Sequence, residues 1–106
     1  MMNININNQA ISLHSIPNSF FEIQLEANVE YSLSDDNDHV LPVNASFVKV
    51  QSDKDVFYLS NQNTSASVGF RIAAHKEKVF SRREALGLCF YATENTAVKI
   101  QPLSHN

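Results

Sequence analysis

From Phe21 to Leu33 the chain alternates without a break. Phe21, Ile23, Leu25, Ala27, Val29, Tyr31 and Leu33 hold every odd position, while the even ones carry Glu, Gln, Asn and Ser. Side chains of a β-strand point to opposite faces with period two, so one face of this segment is apolar and the other is wet. An antiparallel sheet covered on one side meets that demand, and a helix does not. The run is longer than the usual strand of roughly 3–10 residues. A turn or bulge near Ala27-Asn28 is therefore expected, giving two strands.

The same period recurs along the chain. Ile4 and Ile6 share a face against Asn3, Asn5 and Asn7; an Asn8-Gln9 break follows, and Ile11 and Leu13 resume the pattern. In "SFVKVQSDKDVFYLS", residues 46–60, two alternating runs flank Ser52-Asp53-Lys54-Asp55, residues suited to a tight turn. This reads as a β-hairpin. Val68, Phe70 and Ile72 alternate next, and "HKEK" turns the chain into "VFS". A second hairpin is expected in "LGLCFYATENTAVKIQPL", with "TENT" as its turn and Pro102 ending the strand for want of an N–H. Between these, "SRREALG" reads as one helical turn: Ser81 caps it, Glu84 takes the capping-box position and Gly87 ends it.

The 106 residues are the size of one domain. Such a chain buries roughly two-thirds of its unfolded surface, enough for one core without a metal or disulfide. With only two Gly and three Pro, Asn and Asp must make most of the turns. The expected fold is all-β: a single antiparallel β-sandwich or compact barrel over residues 1–106, jelly-roll or immunoglobulin-like, with about eight strands and little or no helix.

Chemistry-bearing motifs are sparse. A formal charge of −3 gives no electrostatic footprint for nucleic acid. No apolar stretch approaches the roughly 18 residues of a membrane span, and the first residues lack the basic and apolar regions of a signal peptide. Synthesis without export by the usual route is the expectation, and the sequons at Asn44 and Asn63 then read as chance matches. Cys89, the one cysteine, reads as a buried strand thiol. "SDDNDH" offers Asp35, Asp36, Asn37 and Asp38 as oxygen ligands, but the Gly and distal Glu of an EF-hand loop are missing, so a solvated turn is expected. His14, His39, His75 and His105 show no metal-ligand spacing. Neither a nucleophile elbow nor a phosphate-cradling glycine loop occurs. No catalytic residue, metal site or cofactor is expected, and a small metal-dependent enzyme is the weakest reading. Arg82-Arg83 has the charge to grip a phosphate or an acidic neighbour, although a solvated pair on a helical turn is the simpler reading.

From about residue 46 to residue 103 the order of features resembles small virion proteins of bacteriophages, namely capsid decoration, vertex and spike-base subunits. The likeness is carried by "FVKVQS", "VFYLS", a polar insert, "GFRIAAHKEKVFS" and the closing "LCFYATENTAVKI". In such proteins a strand leads to an apolar residue, a short charged turn and an aromatic, here Ile72, "AAHKEK" and Phe80. The resemblance implies a non-enzymatic structural subunit of a virion, made in the host cytoplasm and working through protein–protein contacts. Its partners would be copies of itself, in a trimer or pentamer, and other virion proteins, with neither nucleic acid nor a membrane span involved. Residues 1–45 have no counterpart in it. Residues 1–8 read as an edge or swapped strand, because a strand edge invites pairing with another chain. The candidate interface residues are Ile4, Ile6, Arg82 and Arg83. The rival is a free β-sandwich module that recognises carbohydrate or a receptor through "SDDNDH" and "NQNTSAS".

Overall fold

The computed structural model describes residues 2–6, 9–65 and 68–105. Among them run ten strands: β1 (Met2–Ile6), β2 (Gln9–Ser15), β3 (Phe21–Leu25), β4 (Tyr31–Ser32), β5 (Phe47–Ser52), β6 (Val56–Ser60), β7 (Phe70–Ile72), β8 (Glu77–Ser81), β9 (Leu88–Tyr91) and β10 (Thr96–His105). The one α-helix, α1, is a short turn over Arg82–Leu86, and a 3-10 turn covers Leu33–Asp35. The alternation of residues 21–33 does split near Asn28, which takes a φ of 63° and frees the chain to turn. Asn18 and Asn61 adopt the same left-handed backbone, at φ 60° and 62°. Asparagine thus fills positions that glycine more often takes.

The pairing obeys one rule. β3 pairs with β10, β4 with β9, β5 with β8 and β6 with β7, all antiparallel. Strands β3 to β10 therefore form a single two-stranded ribbon whose innermost pair is β6–β7. Rolling that ribbon up sets β5 against β10 and β6 against β9. Two sheets result, β3-β10-β5-β8 and β4-β9-β6-β7, the first extended at its edge by β2 and then β1. This is the jelly-roll order, and the molecule is an all-β sandwich.

The roll overturns both expected hairpins. β5 and β6 lie in different sheets, and so do β9 and β10. The strands stand where the alternation places them, but each exposed connector leads from one sheet to the other. Period two establishes which side chains face inward; it does not say whether two inward faces lie side by side or look at each other. Here they look at each other: Val48 and Val50 of β5 face Val56 of β6 across the interior, all fully buried. The connector at 53–55 is held for that crossing. Ser52 Oγ donates to Lys54 O, Ser52 O accepts from His75 N at 2.8 Å, and Asp55 Oδ1 accepts from Ala74 N at 2.8 Å. A neighbouring connector thus supplies the partners that a hairpin ladder would have used.

The core joins Ile23, Leu25, Val98, Ile100 and Phe80 of the larger sheet to Ile72, Leu88 and Phe90 of the smaller one. Fully burying a side chain of this size contributes about 1.5–3 kcal/mol, so these residues dominate stability. Cys89 is buried beside them as a free thiol. α1 covers one end of the sandwich with Ala85 inward, and both halves of the expected capping box between Ser81 and Glu84 are present. Gly87 closes the helix at φ −106°, so no left-handed turn calls for it. The approach of Asn61 does, because a Cβ on Gly87 would overlap the Asn61 amide.

One further expectation is corrected. Pro102 does not end β10, which runs on to His105. On one flank β10 pairs with β3 as far as Ile100 and with β2 from Leu103 onward. Pro102 O accepts from Ile16 N at 3.1 Å, so the Pro102 nitrogen also faces this gap, where no ladder bond is missing. Of the alternating Val68, Phe70 and Ile72, only Ile72 is buried, and Val68 and Phe70 are 54% and 65% exposed. Gly69, at φ 142°, breaks the strand between them, leaving β7 as a short edge of the smaller sheet.

Candidate functional site

β1 lies outside the eight-stranded roll, and its position follows from register. β2 pairs with β10 only through Leu13, His14 and Ser15. β1 pairs with β2 from Met2↔Leu13 to Ile6↔Gln9. The hairpin β1–β2 is therefore anchored at one end of β2 and extends past the last β10 pair, His105↔Leu13. Leu13, fully buried, is the anchor. β1 is the terminal strand of the larger sheet. An edge strand carries a row of backbone N–H and C=O groups available to another strand. Ile4 is half-buried; in backbone register it pairs with Ile11, and Ile6 pairs with Gln9. Residues 1, 7 and 8 of the expected N-terminal strand lie outside the described residues.

Arg82 and Arg83 are at the opposite margin, on α1 directly after β8. Four strand steps separate β1 from β8, on the order of 20 Å at ~4.8 Å per step. The four candidate residues therefore do not form one patch. The two arginines also differ in role. Arg82 Nη1 donates to Pro42 O at 2.5 Å and to Ala45 O at 3.0 Å, stapling the loop that leads into β5, while Arg83 is exposed. Within that stapled loop stand Val40, 79% exposed, and Val43, 95% exposed. The sequence reading passed over both. Apolar residues flanking a proline outside any alternating run were the available signal.

The acidic loop has an internal structure of its own. Asp36 Oδ2 accepts from Tyr31 Oη and pairs with His39 Nδ1 at 2.8 Å, while Asp36 Oδ1 accepts from Asp38 N at 2.8 Å. The His39 ring stacks on Phe21 with centroids 4.6 Å apart. Asp36 thereby ties the loop to β3 and β4. The His39 and Tyr31 hydrogen bonds hold its carboxyl well below the usual carboxylate range. Burial, helped by the Asp36 hydrogen bond and charge, pushes the Tyr31 phenol well above its ordinary 10.0. Among the described residues no group of three or more His, Cys, Asp or Glu side chains is arranged to hold a metal ion. No helix there is long and apolar enough to cross a membrane.

Two outcomes follow from these contacts. Arg82→Ala should lower stability in urea unfolding by about 1–3 kcal/mol, because two carbonyls lose a charged donor. Arg83→Ala should stay within about 0.5 kcal/mol of the parent. Equal effects would show that the staple does not hold the loop.

The pH dependence has two signs. Asp36 has a depressed pKa in the folded state, so its contribution is present above the unfolded value near 3.9 and fades as pH falls below it. Asp36→Asn should destabilise at pH 7, with the gap to the parent closing below about pH 4. Tyr31 has a raised pKa, so its contribution is complete below about pH 10 and is lost as pH rises beyond that. The parent should therefore lose stability relative to Tyr31→Phe in alkaline solution. Parallel pH profiles for parent and variants would refute the network.

No protein-family model, no curated protein and no solved structure matches this chain.

Proposed function

We propose that the chain is a non-enzymatic structural subunit of a phage-like virion, a decoration, vertex or spike-base protein that works through protein–protein contacts. The observation that carries this reading is the β1–β2 hairpin, anchored on the sandwich by Leu13–Ser15 and presenting β1 as a sheet edge. A domain whose function is assembly needs a rigid body and an open edge. The rolled sandwich is the body, and β1 is the edge. Strand addition at such an edge takes its affinity from main-chain hydrogen bonds and its specificity from alternate side chains, here Ile4 and Ile6. Jelly rolls recur in viral capsid subunits, and in lectins and cupins as well, so the fold supports the reading without selecting it.

The first partner is a second copy of the chain, in a closed trimer or pentamer; neighbouring virion proteins are the next. Closed cyclic symmetry satisfies every edge in a ring and stops further growth. Burying two isoleucine side chains contributes roughly 3–6 kcal/mol before ordering costs. Ordering costs on the order of 1–2 kcal/mol per residue fixed. Backbone pairing along β1 must supply the rest.

Deleting residues 1–7 tests this directly. The truncated chain should stay folded by circular dichroism, because the roll begins at β3. Size-exclusion chromatography with light scattering should show the full chain as a closed oligomer and the truncated chain as a monomer. A full chain that remains monomeric at every concentration would contradict self-assembly through β1. A truncated chain that unfolds would place the segment in the core and remove the basis of the reading.

A further inference from the structure

The outer face of the larger sheet carries a feature that assembly through β1 does not use. A groove of about 220 Å³ lies there, lined by Ser15, Phe20, Lys49, Gln51, Lys99 and Gln101. Register explains its make-up. Lys99 stands opposite Gln51, and Gln101 stands opposite Lys49. The four side chains thus form a block on one face of adjacent strands, ammonium and amide on alternate corners. Directly opposed residues lie roughly 5 Å apart, and residues two apart on one strand roughly 7 Å. Phe20, 52% exposed at the entry to β3, makes a wall beside this block.

The polar groups are already oriented. Gln51 Nε2 donates to His75 O at 2.9 Å. Gln101 Nε2 donates to Pro102 O at 2.8 Å and to Ser19 Oγ at 3.3 Å. Gln101 has both amide N–H groups engaged and Gln51 one of its two, so the two amide oxygens remain as acceptors and Gln51 keeps one N–H to donate. The lysines carry their own counter-charges: Lys49 Nζ is 3.9 Å from Glu77 and Lys99 Nζ is 3.5 Å from Asp53, with Glu22 opposite Lys99 in register. They offer N–H donors without a net positive field. Such a site suits a ligand rich in hydroxyls, which both donate and accept, better than an anion.

We propose that this groove binds one neutral pyranose unit, its apolar ring face against Phe20 and its hydroxyls on the Gln51, Gln101, Lys49 and Lys99 side chains. Its volume is below the roughly 300–1,000 Å³ of a site for drug-sized ligands, which limits it to a single ring. This location differs from the loops at 34–39 and 61–67 that the sequence suggested for carbohydrate. The inference is independent of assembly through β1.

The test is a 1H–15N correlation titration of the full chain with methyl β-glucoside, methyl β-galactoside and methyl α-mannoside, with glucuronate as the charged comparator. Saturable shifts are expected for at least one neutral glycoside at up to about 100 mM, confined to amides near Ser15, Phe20, Lys49–Gln51 and Lys99–Gln101. Phe20→Ala and Gln101→Ala should each weaken that binding by about tenfold or more, with spectra otherwise unchanged. Phe20 is exposed, so its replacement tests the wall without disturbing the core. Absence of saturable shifts for all three glycosides, shifts mapping elsewhere, tighter binding of glucuronate, or undiminished binding by Phe20→Ala would each overturn the proposal.

Discussion

The seam between β5 and β10 is the contact on which the rest of the structure depends. The ribbon pairs β3·β10, β4·β9, β5·β8 and β6·β7 require only that the chain double back on itself. A sandwich appears only when β5 meets β10, in register from Val98↔Ser52 to Leu103↔Phe47. That register sends Val48, Val50, Val98 and Ile100 inward together, and all four are fully buried. A slip of one residue would turn the inward pair of whichever strand moved to the outer face. The same seam places Lys49, Gln51, Lys99 and Gln101 together on the outer face. Core and groove are two sides of one pairing.

The roll also explains what is left over. Eight strands close the two sheets, and β1 and β2 add to a sandwich that has its core without them. The gap between β3 and β2 along β10, where Pro102 sits, marks the join. Sheet edges are sites of pairing unless they are covered, twisted away or charged. β1 has asparagines at positions 3 and 5 and isoleucines at 4 and 6, with no charged side chain. A strand of this composition lacks the usual devices that discourage partners. That is why the hairpin, more than the fold class, carries the assembly reading.

How much of this was legible in the sequence depends on which interaction set it. Local rules read well. Alternation located β3, β5 and β6, and the Ser81–Glu84 capping box identified α1, because each follows from residues within a few positions of one another. Asparagine turns were also foreseen, since scarce glycine leaves few other residues able to hold positive φ. Pairing partners were not legible. "QSDKDV" has the composition of a hairpin turn, yet its partners are Ala74 and His75 in a distant connector. Arg82 looked like half of a surface pair, and its role as a staple depends on carbonyls about forty residues earlier. The groove was invisible for the same reason, being assembled from residues near 15–20, 50 and 100.

The β5–β10 register is open to one direct measurement. Cross-strand nuclear Overhauser effects in the isotopically labelled chain report which backbones lie side by side. The rolled ribbon predicts contacts between the backbone protons of Val50 and Ile100 and of Lys49 and Gln101, with none forming a ladder between β5 and β6. A ladder of contacts joining residues 47–52 to residues 56–60 would restore the hairpin, and with it remove the jelly roll and the groove built on its seam.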